Sequence, residues 1–265
     1  MSLAIDQLPL TAPGEQAVDL AGSRPSSSVV VLAWNAWQHT RSCLASVQAT
    51  MSERDELVVV DNGSSDDTPM GLRQLALDKL IVNEENRGFP AGANQGAAVA
   101  EGDVVVFLNS DTVVTTGWLD ALLAPFTDAA VVATGPRSNY VAGPQIVYPI
   151  PYAQPEGALF QEFAARWMRV YAGRCRRVAN LIGFCLAVRR ACFEQIGGFD
   201  EVFGLGNFED ADLCRRLGET GGQLLIVDGA YVHHTGHASF TANRVDYASL
   251  MVENNGRYEA KWGPG

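Results

Sequence analysis

The sequence predicts an α/β fold built on a doubly wound, mostly parallel sheet, and three observations carry that expectation. Short runs of apolar β-formers recur through the first half: Ser28 to Asn35, Leu57 to Val60, Leu80 to Val82 and Asp103 to Leu108. Helical segments separate them, and parallel neighbours need crossovers of about that length. Each run ends abruptly in polar residues, as buried strands do where they meet the ligand edge of an open sheet.

The elements follow in order. Thr40 to Met51 is an amphipathic helix with Cys43, Leu44 and Val47 inward. After Leu57 to Val60 the loop Asp61-Asn-Gly-Ser-Ser-Asp-Asp-Thr-Pro69 holds only turn and cap residues, with a helix starting at Asp67 or Thr68 ahead of Pro69. Asp66 reads as a capping residue. Leu80 to Val82 leads into Asn83-Glu-Glu-Asn-Arg-Gly-Phe-Pro-Ala-Gly-Ala-Asn-Gln-Gly96 and an Ala-rich helix to Ala100. The second half is less regular: a helix at Trp118 to Phe126, a strand at Val131 to Ala133, and a loop rich in Pro and Gly from Gly135 to Pro155. Glu156 to Tyr171 has helical spacing. A strand from Leu181 to Val188, a helix from Arg189 to Ile196, a helix on Phe208 to Leu217, and strands at Leu224 to Val227 and Ala230 to Val232 follow. A last helix, Asn243 to Trp262, is expected to break near Asn254-Asn-Gly256.

Composition bounds the function. With 265 residues, 47% hydrophobic and 18% charged, the chain can bury one full α/β core. A net charge of -11 argues against a nucleic-acid partner, which calls for a basic footprint. Five cysteines without a C-x-x-C pair suit a reducing compartment and argue against zinc. The longest apolar run, Val178 to Val188, is interrupted by Asn180 and too short to cross a bilayer. Residues 1–27 read as a loose arm without the charged start or apolar stretch of a signal peptide.

The chemistry collects at strand ends. Trp34-Asn35, Asp61, Asn86-Arg87 and Asp111 close four successive units, and a parallel sheet brings such ends to one edge. Asp111, delivered by the most apolar strand, is a metal-ligand candidate, although Asp after a strand also starts ordinary turns. The turn after the first strand, Trp34-Asn-Ala-Trp-Gln-His, has no glycine and cannot form a dinucleotide-binding loop. Glu209 and Asp210 open a helix about 100° apart, so one faces a ligand better and each raises the other's pKa. Two acids also suit a helix N-terminus for plain electrostatic reasons. Asp212 reads as exposed capping charge. Three of the four histidines fall at 233, 234 and 237, where imidazole can join Asp111 on a Mn-type ion.

These stretches resemble the nucleotide-sugar half of a family 2 glycosyltransferase of the GT-A fold. The resemblance rests on Val-Leu-Ala-Trp-Asn35, Val-Val-Asp-Asn-Gly-Ser-Ser-Asp-Asp-Thr68, Asn-Arg-Gly-Phe-Pro-Ala-Gly-Ala-Asn94, Phe-Leu-Asn-Ser-Asp111, Gly-Gly-Phe-Asp200, Phe-Glu-Asp-Ala-Asp-Leu-Cys-Arg-Arg216 and Val-His-His234, in family order over roughly 28–240. It is nearest to bacterial members that add sugars such as rhamnose to cell-surface glycans.

The resemblance implies an inverting transfer from a UDP or dTDP sugar to a glycan or lipid-linked acceptor, with Mn²⁺ or Mg²⁺. Trp34 would stack on the base and Asp61 would receive base or ribose, with Asn35 beside them. Arg87 and Asn94 would meet phosphate or sugar hydroxyls. In Asn109-Ser110-Asp111 an Asn replaces the family's first Asp, so Asn109 and Ser110 would bind ribose or sugar while Asp111 holds the cation. His233 is where the family places its metal histidine, with His234 or His237 as stand-ins. Asp210 would be the general base and Glu209 its acceptor-side partner. The implied layout is an arm at 1–27, a transferase domain at 28–240 (donor half 28–115, acceptor half 116–240) and a helical extension at 241–265. The implied location is cytoplasmic, at the inner membrane face through the acceptor. A sugar-1-phosphate nucleotidyltransferase shares such a sheet, but its Gly-rich basic loop is missing here; a degenerate sugar-binding module would not need Asp111, Asp210 and His233.

Overall fold

The computed structural model describes residues 16–17, 24–155 and 157–264. Most of the expected loose arm therefore lies outside the described residues. Four parallel strands form the first half of the sheet: β2 (Ser27–Ala33), β3 (Asp55–Asn62), β4 (Lys79–Asn83) and β5 (Val104–Asn109). β2 lies between β3 and β5, with Val30 opposite Val58 on one side and Phe107 on the other. β2, β3 and β5 are buried on both faces, which is why they read as unbroken valine runs.

The second half extends the sheet to nine strands in the order β1-β8-β10-β7-β9-β5-β2-β3-β4. Here β1 is Gln16–Ala17, β7 Val131–Arg137, β8 Arg174–Val178, β9 Cys185–Arg189 and β10 Gln223–Tyr231. β9 runs antiparallel between β5 and β7, β10 is parallel to β7, and β8 is antiparallel to both β10 and β1. All strands but β8 and β9 thus point one way, and the doubly wound, mostly parallel sheet is as expected.

Alternation along the strands feeds two core layers. Val29, Val31, Leu57, Val59, Val104 and Val106 pack under α1 (Trp37–Gln48) and α4 (Trp118–Leu123). Val30, Val58, Val105 and Phe107 face α3 (Phe89–Ala98), α6 (Arg190–Gln195) and α7 (Glu209–Glu219). Small residues let α3 sit close: a Cβ on Gly96 would stand 2.4 Å from Val30 Cγ1. A third cluster, Tyr152, Phe160, Phe163, Trp167, Tyr171 and Tyr231, lies under α5 (Ala158–Val170).

The expectations fail in four places, each with a physical cause. β8 escapes notice because its Arg-Cys-Arg-Arg-Val hides the apolar pattern of an outer strand. Residues 181–184 are loop, not strand: the Leu181 and Gly183 N–H groups go to Cys214 Sγ at 3.4 Å and Asp210 Oδ2 at 2.8 Å instead of a ladder. β10 continues through Asp228-Gly229, where two strands were expected. The last helix, α9 (Tyr247–Trp262), follows a short α8 (Ala238–Ala242) and runs unbroken through Asn254, a wholly buried residue. Between strand and helix, α2 (Thr68–Leu72) opens beside Asp66, whose side chain accepts from the Thr68 and Trp37 N–H groups. The five cysteines are free thiols. No helix among the described residues is long and apolar enough to cross a membrane.

Candidate active site

A cleft of about 840 Å³ opens at the carboxyl ends of β2, β3 and β5 and is closed by α8, α9 and the start of α7. It collects Trp34, Asn109, Ser110, Asp111, Glu209 and Asp210 from the sequence expectation, together with His234 and His237.

Asp111 leaves β5 into β6 (Thr112–Val113), which pairs antiparallel with β11 (His233–His234). That small ribbon sets His234 Nε2 3.2 Å from Asp111 Oδ1. Its Nδ1 lies 2.9 Å from the Tyr140 carbonyl, which can only accept, so Nδ1 carries the proton. Nε2 then turns its lone pair to a carboxylate, an arrangement that asks for a proton or a metal ion between them. Accordingly, despite burial, the Asp111 carboxylate lifts the His234 pKa, while His234 holds Asp111 below the usual carboxylate range. Phe184 stacks on the imidazole at 5.2 Å and fixes its plane.

His233, the histidine expected to hold the metal, is not in the cleft lining. His233, one residue earlier on the ribbon, points the other way: Nδ1 sits 3.1 Å from Tyr152 Oη, and the ring packs on Phe160. Burial pushes its pKa down to about 4, the behaviour of a neutral core imidazole. Alternation along a strand decides which histidine reaches the cleft. No cluster of three or more His, Cys, Asp or Glu able to hold a metal occurs among the described residues. Asp111 and His234 would be the residues to hold a divalent cation, two protein ligands that suit an ion also bound by diphosphate and water and not a zinc cage.

The second acid pair stands at the N-terminus of α7. Asp210 accepts from Gly183 N and Ala211 N, both at 2.8 Å. Glu209 is 6% exposed, and its Oε2 has no partner among the described residues. Burial raises the pKa of both acids, and Asp210's charge raises Glu209 further, so Glu209 holds its proton more tightly than an ordinary carboxyl. Asp212 is not an exposed cap: it is fully buried, and Arg216, Lys261 and Trp262 Nε1 share its carboxylate.

Other expected residues stand beside the cleft and not in its lining. Asp61 is buried at the end of β3 and accepts from Ser64 N at 3.0 Å, shaping the loop below Trp34. The Asn35 amide donates to Asn243 and accepts from Ser65 and Asp66 N–H groups, tying β2 to the end of α8. Asn94 is bound into the Gly197-to-Glu201 turn, donating to the Phe199 carbonyl and accepting the Phe199 N–H, both at 2.9 Å. Arg87 is exposed outside the lining. Trp34 is half-buried and belongs to none of the three core clusters, as a cleft-facing aromatic should.

Sequence reasoning placed Asn86 at the ligand edge without a role and missed Asn62, Phe89, Tyr140, Asn207, Phe208, Phe240 and Tyr247, all of which line the cleft. Asn62 and Asn86 were legible as strand-end residues; the others come from loops and helices that only tertiary packing brings near.

Solved structures with the same fold are glycosyltransferases. A mannosyltransferase from Pyrobaculum calidifontis, solved with GDP-Man and Mn²⁺, superposes with a TM-score of 0.63 at 20% identity, over 94% of this chain and 68% of that one. GalNAc-T7, solved with UDP, GalNAc and Mn²⁺, gives 0.62 at 20% identity over 88% of this chain and 49% of that one. The architecture is thus that of the GT-A glycosyltransferases. The model of glycosyl transferase family 2 matches residues 28–197. An N-acetylglucosaminyl-diphospho-decaprenol L-rhamnosyltransferase of Mycobacterium tuberculosis is 31% identical over 243 residues, 80% of this chain and 76% of the relative. The chain belongs to glycosyl transferase family 2 and is a glycosyltransferase.

Proposed function

We propose that the chain moves a sugar from a nucleoside-diphosphate sugar to an acceptor hydroxyl with inversion, in a metal-dependent reaction. The observation that carries this reading is the Asp111–His234 pair, two cation ligands in the same cleft as the Glu209–Asp210 acid pair. A bound Mn²⁺ or Mg²⁺ would neutralise the charge that develops on the leaving diphosphate. Trp34 stacks on the base, and Asp61 and Asn35 hold the loop around it. Asn109 and Ser110 meet ribose or sugar hydroxyls. Asp210, raised by burial yet held in place by two N–H groups, takes the acceptor proton as the hydroxyl attacks from the face opposite the diphosphate. Glu209 stands next to Asp210 in the lining of the same cleft.

The M. tuberculosis relative's acceptor is lipid-linked by name. We extend that class here, a sugar on a polyprenyl diphosphate at the inner membrane face, within a transferase domain at 28–240 that the 241–265 extension closes. Screening uridine, thymidine and guanosine diphosphate sugars for release of the diphosphate, with such acceptors and with Mn²⁺, Mg²⁺ or chelator, tests the reading. Release that needs metal and acceptor is expected. Turnover that chelator leaves untouched, or no release from any donor, would overturn it.

A further inference from the structure

Where the chain enters α7, two polar groups have no partner among the described residues. Asn207 Nδ2 and Glu209 Oε2 are buried and unbonded among the described residues, and both residues line the cleft. A buried donor and a buried acceptor left unpaired in a native site call for a functional explanation. The backbone here is also strained, with Asn207 and Phe208 consecutively in the left-handed region at φ 74° and 72°.

The strain is held from α9. The Asn254 amide, wholly buried, donates to the carbonyls of Phe203, Gly206 and Asn207 at 2.8, 2.7 and 3.1 Å. Its own Oδ1 accepts from Arg257 at 2.8 Å. The same loop abuts the donor half of the molecule: a Cβ on Gly206 would lie 3.2 Å from Phe89 Cβ, and Phe89 shares the cleft wall with Asn62 and Asn86. Asp210, by contrast, is tied to Gly183 on the other half of the chain.

We infer that Asn207, with Glu209 beside it, reads the hydroxyl groups of the transferred sugar, and that Asn254 is the positioning residue that presents it. The inference rests on the donor reading above. An amide N–H and a carboxyl oxygen match two neighbouring hydroxyls of a pyranose. In this conformation water reaches neither atom, and rotation of the partly exposed Asn207 side chain toward the cleft would bring its amide to a sugar hydroxyl, with Glu209 in the same lining. The donor reading places the nucleotide on the strand ends around Trp34. Sugar choice is thereby separated from nucleotide choice.

Calorimetry in Mn²⁺ tests this with uridine and thymidine diphosphates and a panel of their hexose and deoxyhexose conjugates. The wild-type chain should bind one conjugate more tightly than its bare diphosphate. Asn207→Ala should lower that conjugate's affinity roughly fivefold to tenfold, one hydrogen bond's worth, and leave the bare diphosphate unchanged. Asn207→Asp, which exchanges a donor for an acceptor, should change the order of preference among conjugates. Asn254→Ala should show the same loss confined to conjugates, which a merely destabilised fold would not. Equal wild-type affinity for the bare diphosphate and every conjugate, or an Asn207→Ala loss shared equally by the bare diphosphate, would overturn the inference. Diphosphate binding by the wild-type chain tests the donor site by itself, so its failure is distinguishable from failure at Asn207.

Discussion

Single atoms decide the roles of neighbouring residues at this site. Asp210 and Glu209 are adjacent, yet one carboxylate is anchored by two backbone N–H groups and the other keeps an oxygen with no partner among the described residues. Asp210→Asn is expected to lower turnover by about 10² to 10⁴ with donor affinity nearly unchanged, as for a lost general base. It should also lose roughly 1–3 kcal/mol of stability, because an amide offers one oxygen to two N–H donors. Single-turnover rates and denaturant titrations check both effects, and a fully active variant removes the base assignment. The two histidines of β11 separate in the same way. His234→Ala should abolish the metal dependence of nucleoside diphosphate binding. His233→Ala should keep it and lose about 2–3 kcal/mol of stability through the emptied aromatic pocket and the lost Tyr152 bond. Calorimetry with and without chelator distinguishes the two, and the opposite pattern would return the metal to His233.

At the scale of elements, the cleft depends on how closely α3 meets the loop before α7. Gly88 caps α3 with φ 85°, and a Cβ there would stand 2.0 Å from the Gly204 carbonyl oxygen. That neighbour is backbone and cannot swing aside. Gly88→Ala should therefore cost about 1–3 kcal/mol and push the Gly204 turn from the cleft wall. A lower Tm together with weaker donor binding is the expected pair of results; a variant with wild-type Tm would show that the two segments part freely. The ribbon of β6 and β11 works likewise, since two strands of two residues bring Asp111 and His234 into contact from distant parts of the chain.

For the whole molecule, a buried acid pair makes stability depend on pH. Glu209 titrates above its ordinary value of 4.5 in the folded chain because burial and Asp210's charge oppose ionisation. Below 4.5 both states hold the proton and nothing is lost; as pH rises past it the unfolded chain releases the proton first, and the folded state loses stability. Glu209→Gln removes that loss. Its Tm relative to wild type should rise from pH 4.5 upward and level off once the folded-state carboxyl has also ionised, read by calorimetric melts from acid to alkaline pH. A difference independent of pH would mean that the acid ionises freely in the fold. The variant should still turn over, more slowly than wild type and faster than Asp210→Asn.

The valine runs of β2, β3 and β5 made the sheet readable, since strands buried on both faces must be apolar throughout, and the polar residues that end them marked the ligand edge. The same runs led to Trp34, Asn109, Ser110 and Asp111, while Glu209 and Asp210 were legible as paired acids opening a helix. Which way a given side chain points was not legible. Asn94 and Asn35 carry the right chemistry for a ligand but are consumed by the Phe199 turn and by Asn243, partners 105 and 208 residues away. His234 and not His233 meets Asp111 because a two-residue strand has two faces, and only its pairing with β6 fixes which one does. The sequence by itself determined the parallel half of the sheet, the edge where its strands end and the chemical kinds of residue gathered there, because those follow from burial and local pattern. The tertiary structure alone decided which of those residues enter the cleft, since that choice is made by contacts between segments far apart in the chain.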